Sequence, residues 1–256
     1  MNPWYTSNDI ASLRPEEGDL VVSFSELTPA FILHSRRYRD TSLICDLFTQ
    51  NFGRFSAVAR GATGPKPRFK GVLQPFVPLL MSYYGAGELK SVKNVDFFAQ
   101  PIHLTGNKLL IGLYVNELLN RLLGTYDALE NVYMMYAQLI RQLETSDDVE
   151  PLLRRFEFLL LSELGYGVSL QSEVGTGREI VPEENYVFDA ERGFTLASSH
   201  ETREFVCKGI HLLAISNNDF TQDDARSVAK QVVRIALQPL LGNRPLNSRI
   251  LFSKRQ

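Results

Sequence analysis

The side chains with the most chemistry to offer in this chain are cations. From His34 to Lys93 there are ten Lys and Arg against three Asp and Glu, a local net charge of +7 in a sequence whose total is −2. They are Arg36, Arg37, Arg39, Arg54, Arg60, Lys66, Arg68, Lys70, Lys90 and Lys93. Such a run can neutralise the phosphates of an anionic polymer without reading its sequence. Aromatic residues interleave with the cations: Tyr38, Phe52, Phe55, Phe69, Tyr83 and Tyr84. Any one of them is more simply explained as core. Tyr38 and Phe69 lie in polar, basic stretches and are the better candidates for platforms on which bases stack. The plainer alternative is that the cations solvate strand faces or pair with acids elsewhere.

Other chemistries find less support. His34, His103, His200 and His211 show no metal-ligand spacing. Cys45 and Cys207 stand alone and read as small buried hydrophobes in a reducing compartment. Arg60–Lys66 lacks the glycine spacing of a phosphate loop, and Gly85-Ala86-Gly87 reads as a hairpin turn. Glu183-Glu184 and Asp223-Asp224 are adjacent acids that do not converge on one reacting centre. The expectation is therefore no enzyme, no catalytic residue, no metal and no cofactor. With no apolar run of spanning length and no signal peptide, a cytoplasmic, nucleoid-associated protein with no membrane partner is expected.

The elements that must position these residues fall in two parts. Residues 1–26 read as a polar extension. Residues 27–104 carry short runs separated by turn residues: Ala30–His34, a basic turn Ser35–Asp40, Ser42–Thr49, Arg54–Arg60, Val77–Tyr84 and Glu88–Phe98. Five strands in so short a stretch suggest an OB-type barrel, with an SH3-like barrel as the alternative. Residues 105–256 read as helical. The expected helices are Asn107–Leu123, apolar nearly all round, Asn131–Leu143, and one from Glu150-Pro151 to the Gly165 cap. A β-like excursion follows at about 169–197. Thr202–Ile215 and a final helix opened by a capping box at Thr221–Asp224 complete the reading. The fold class is α+β. Charge divides likewise: Tyr126–Glu201 is net −10 and Thr202–Gln256 net +5.

The order of motifs resembles the RecO family of bacterial recombination mediators. Phe31–Tyr38, Thr41-Ser42-Leu43, Gly53-Arg54 and Ala59–Ala62 are similar to its start, as are Leu73–Leu80 and Gly87–Lys90. Leu113–Leu119, Arg154–Glu157, Leu164–Gly167 and Arg244–Arg249 are similar to its later part. The resemblance implies an OB barrel followed by a helical domain. It implies binding of single- and double-stranded DNA and annealing of complementary strands. It also implies work with RecR to load RecA onto DNA coated by single-strand-binding protein (SSB), and contact with the acidic SSB tail through the helical domain. Arg226 and Lys230, one turn apart on the final helix, are the candidates for that tail. Many relatives carry a four-cysteine zinc site after the Leu-Gly-Tyr-Gly motif; Gln171–Ile180 has no cysteine, which resembles the zinc-free branch. A protein-interaction adaptor and an RNA-binding barrel are the competing readings.

Overall fold

The structure, a computed structural model, describes residues 27–197 and 205–248. Apolar runs, continuous in β1 and β4 and alternating in β2 and β3, build β1 (Thr28–Tyr38), β2 (Ser42–Thr49), β3 (Gly53–Ala59) and β4 (Leu79–Tyr84), with β5 (Lys90–Phe97) more polar. These close a barrel in the order β1-β2-β3-β5-β4. The β3–β5 pair is parallel and the others are antiparallel, the arrangement of an OB barrel. Inward side chains such as Ile32, Cys45, Leu47, Phe55, Met81 and Tyr83 fill the interior, joined by Phe69, Leu73 and Val77 from the β3–β4 connection. Burial of such side chains, each worth about 1.5–3 kcal/mol, drives closure.

β1 corrects the sequence reading. The expected turn at Ser35–Asp40 is strand as far as Tyr38, with Arg36 and Arg37 paired to Ile44 and Leu43. Where a hairpin projects into water, polar residues suit both faces, so the apolar alternation that signals a strand fades.

Two helices, α1 (Gly106–Leu122) and α2 (Glu130–Thr145), cover the outer face of β1 and β2. Phe31 and Phe48 are buried there against the rings of Tyr133 and Tyr136, at centroid distances of 5.0 to 6.0 Å. A bulge between Ile32 and His34 interrupts the β1–β2 ladder. The Leu33 carbonyl at that bulge accepts a hydrogen bond from Asn116 Nδ2 at 3.0 Å, and the Tyr136 hydroxyl donates to Asn116 Oδ1 at 2.7 Å. An apolar helix thus carries one buried polar residue because the strand beneath it offers a polar atom.

Of the described residues, 27–145 and 246–248 form one compact unit, and those from Ser146 to Pro245 a second. The second unit holds α3 (Glu150–Glu163), β6 (Asn185–Asp189), β7 (Gly193–Leu196), β8 (Val206–Lys208), α4 (Gly209–Ser216) and α5 (Asp223–Leu241). Its strands form a sheet in the order β7-β6-β8. Pro151 opens α3, and after it Gly165, at φ 84°, reverses the chain, as the sequence predicts. Two expectations fail. Of the helix placed at Thr202–Ile215, residues 202–204 lie outside the described residues, Val206–Lys208 is a strand paired with β6, and the helix runs from Gly209. The capping box does not form: the N-cap of α5 is Gln222, without a side-chain cap, and Thr221 donates to Asp219 instead. Among the described residues no helix is long and apolar enough to cross a membrane.

Candidate nucleic-acid interface

Two backbone ties and one from a side chain gather the barrel cations at one end. The turn after β1 meets the β3–β4 connection where Thr63 N–H donates to the Thr41 carbonyl at 3.0 Å. That connection folds on itself through Arg68 N–H to the Gly61 carbonyl, 2.8 Å. The Arg68 guanidinium then donates to the Lys93 carbonyl on β5 at 2.6 Å. Gly61 and Gly64, at φ 67° and 120°, make the reversal possible. The barrel closes β3 onto β5 at the same end, pairing Val58 with Ser91.

Eight of the ten predicted cations are exposed: Arg36, Arg37, Arg39, Arg60, Lys66, Arg68, Lys70 and Lys93. Arg39 sits at φ 53°, and its guanidinium lies 5.1 Å from the centre of the Tyr38 ring. Tyr38 is half-buried and keeps an edge in water. Arg36 is 3.5 Å from the buried Asp46 carboxylate, which His34 approaches to 3.6 Å and the Ser56 hydroxyl hydrogen-bonds at 2.6 Å.

Three predicted residues leave the interface. Arg54 donates to the Leu123 carbonyl at 3.0 Å, to Thr125 Oγ1 at 3.1 Å and to Asn120 Oδ1 at 3.5 Å, so its fork closes the C-terminus of α1. Lys90 is buried; its ammonium donates to the Gly85 carbonyl at 2.8 Å and lies 5.5 Å from the Tyr126 ring. Phe69 is buried in the barrel core, with Arg68 stacked on its outer side at 4.9 Å. Of the other aromatics, Phe55 and Tyr83 are core, Phe52 is half-buried and Tyr84 is exposed. On the outer face of β1 and β2, Ile44 and Phe48 are buried rather than open to solvent. The cationic surface is a rim.

In the second unit Arg226 also departs from expectation. Its guanidinium makes a two-pronged pair with Asp148 at 2.6 and 3.0 Å, and Nε donates to the Phe220 carbonyl. Lys230 is exposed. The excursion is closed by Arg178, which donates to both carboxylate oxygens of Glu184 at 2.7 Å, and by Thr176, whose hydroxyl donates to Glu173 at 2.8 Å.

Sequence reasoning missed Tyr126. It stacks on Phe55 at 5.4 Å, and its hydroxyl donates to the Glu88 carbonyl at 3.2 Å, so it pins the β4–β5 hairpin. A lone tyrosine in a polar stretch carries no periodic signal. Sequence reasoning also missed Glu117, within the Leu113–Leu119 motif, which grips the chain at Asn247 and Ser248; a partner 130 residues away leaves no local pattern.

Fold and rim together define an OB-barrel protein with a cation-rich end and an appended helical unit. Its sequence matches the family models for the N-terminal part of recombination protein O over residues 24–100 and for the C-terminal part over 103–250. Relatives called DNA repair protein RecO include one from Cellvibrio japonicus, 41% identical over 228 residues, covering 89% of this chain and 97% of its own. That of Salmonella dublin is 40% identical over 224 residues, 87% of this chain and 92% of its own. That of Aliivibrio fischeri strain MJ11 is 38% identical over 229 residues, 90% and 96%. The chain belongs to the RecO family.

Proposed function

We propose that this chain works in DNA repair and recombination as a mediator that binds single- and double-stranded DNA through the barrel rim. It anneals complementary strands and, with RecR, helps load RecA onto single strands coated by SSB. The observation that carries the reading is the gathering of Arg39, Arg60, Arg68 and Lys93 at one end by the ties at Thr41, Gly61 and Lys93. The relatives' name supports the repair role.

The chemistry is electrostatic. Each phosphate neutralised by Lys or Arg releases counterions, and the observed binding constant then falls with salt. Annealing needs no bond made or broken; strands held with their repulsion screened can pair. Tyr38 and Tyr84 offer faces to unstacked bases, at about 1–3 kcal/mol per stacked base. The acidic SSB tail would meet Lys230 on α5. DNA-directed work fits the cytoplasm and its nucleoid.

The test is binding of a labelled single strand across a salt series, with annealing of complementary strands in the presence of SSB. Charge reversal of Arg37, Arg39 and Lys70 should weaken binding at least tenfold near physiological salt and slow annealing. Unchanged affinity in that variant, with its fold intact by circular dichroism, would remove the rim from the mechanism.

A further inference from the structure

The bulge in β1 decides what the outer face of that strand presents. Ile32 points into the core opposite Leu47, and Ser35 lies opposite the core residue Cys45. Between them β1 carries one residue more than β2, so the pleat is reset. Phe31, before the bulge, packs outward on α2. His34, Arg36 and Tyr38, after it, stand on the same side, with His34 directly opposite Asp46. An unbulged strand would have put Leu33, Ser35 and Arg37 there. The Leu33 carbonyl, held by Asn116 of α1, braces the bulge from outside.

The re-aimed side chains bring two basic groups onto one buried acid. His34 Nδ1 lies 3.6 Å and Arg36 3.5 Å from Asp46 Oδ2, which Asn120 Nδ2 approaches to 3.4 Å, while the Ser56 hydroxyl donates to Oδ1. The Asp46 side chain is 7% exposed, against 59% for His34 and 55% for Arg36. Other charges on the elements packed there are engaged elsewhere. Arg54 of β3 bonds the end of α1, and on α1 itself Glu117 bonds Asn247 and Ser248 with Arg121 near it, and Lys108 bonds the Glu144 carbonyl. Asp46 balances one cation. With the imidazole neutral the group carries no net charge; with it protonated the group is positive on its watered side.

We propose that His34 is a phosphate-binding residue that takes up a proton as a single strand binds. The inference rests on the reading of the barrel rim as a DNA interface, and it extends that rim along β1. His34, Arg36 and Tyr38 follow one another at about 6.8 Å per pair of residues, a step comparable to the phosphate spacing of a stretched strand. The ligand is the sugar–phosphate backbone. Imidazole is the side chain that gains or loses charge near neutral pH. A phosphate beside it favours the charged form, and by reciprocity the proton favours the phosphate. Asp46 keeps the ring turned toward the track.

The test is binding of labelled oligo-dT by fluorescence anisotropy at pH 6 and pH 8, each across a salt series, for the full chain, H34A, H34R, H103A/H211A and R37E/R39E. The unaltered chain should bind about three- to tenfold more tightly at pH 6, with a salt slope steeper by about 0.7, one single-strand phosphate contact. H34A should bind equally at both pH values, with one slope. H34R, permanently charged, should bind at both as the unaltered chain does at pH 6, which a merely structural histidine would not allow. H103A/H211A should keep the response. A full pH response in H34A, or its loss in H103A/H211A alone, overturns the proposal, as does H34R binding no better than H34A. If R37E/R39E weakens binding while H34A keeps the response, only the role of His34 falls; if R37E/R39E binds as the unaltered chain does, the rim reading falls with it.

Discussion

Arg37 and Arg54 carry the same charge and do opposite things. Arg37 ends in water on the projecting half of β1, whereas Arg54 is bound to the last turn of α1. R54A should therefore lower stability by about 1–3 kcal/mol, since it leaves the Leu123 carbonyl and its neighbours without their donor. A thermal melt checks the stability, and the salt slope of DNA binding should not change; a flattened slope would return Arg54 to the interface. R37A should do the reverse, moving the slope by about 0.7 for single strands with little effect on the melt. Nothing in the sequence separates the two, because a side chain's partner is set by which helix lies over it, and that is decided by the tertiary fold. Glu117 offers a pH test. Burial alone would raise its pKa, but the donors from Ser248 and Asn247, with Arg121 nearby, hold it below its ordinary value of 4.5. A carboxyl lowered on folding stabilises above its unfolded pKa, and that contribution disappears as pH falls through the folded value. Acidification below about 4.5 should thus loosen that grip, seen as faster amide exchange at Asn247 and Ser248, and E117A should abolish that pH dependence.

The elements were legible to different degrees, for physical reasons. β2 was bounded correctly because Leu43, Cys45 and Leu47 alternate with Ile44, Asp46 and Phe48, and a closed barrel needs one face inward. α1 was legible because it is apolar on most sides, and barrel strands and α2 bury it. The end of β1 and the whole of β8 were not legible. One is solvated on both faces, and the other is three residues long, too short for any period. Glycines show how tightly the elements meet. A Cβ on Gly53 would fall 1.9 Å from the Asp127 carbonyl oxygen, at φ 62°, where backbone faces backbone. On Gly112 it would meet the Leu104 Cδ1 at 2.8 Å and the Phe76 ring at 2.9 Å, both side-chain atoms that can turn aside. G53A should cost about 3 kcal/mol or more. G112A should cost less, because the helix gains about 1 kcal/mol of propensity from alanine. Equal loss of melting temperature in the two variants would contradict this account of how β3 is fastened.

At the scale of the molecule, charge is what the sequence displays most openly, yet only its sign and block structure are readable there. The ties that turn a block into a rim involve backbone atoms of Thr41, Gly61 and Lys93, which no composition reveals. Like charges gathered on one end repel, so on the proposed reading a polyanion bound there would offset that repulsion. A ligand that binds only the folded unit stabilises it, by about 2.7 kcal/mol at one hundred times its dissociation constant. The two cysteines allow this to be followed unit by unit. Cys45 lies in the barrel core and Cys207 in the second unit; burial pushes each thiol up to about 12, Cys45 helped by Asp46, so neither reacts until its surroundings open. Single-stranded DNA at low salt should slow alkylation of Cys45 by up to about a hundredfold, since 1.4 kcal/mol is a factor of ten, and should slow Cys207 much less. The protection should fade as salt rises. Equal protection of both thiols would mean that DNA grips the second unit as firmly as the barrel, and protection of Cys207 alone would move the interface off the rim altogether.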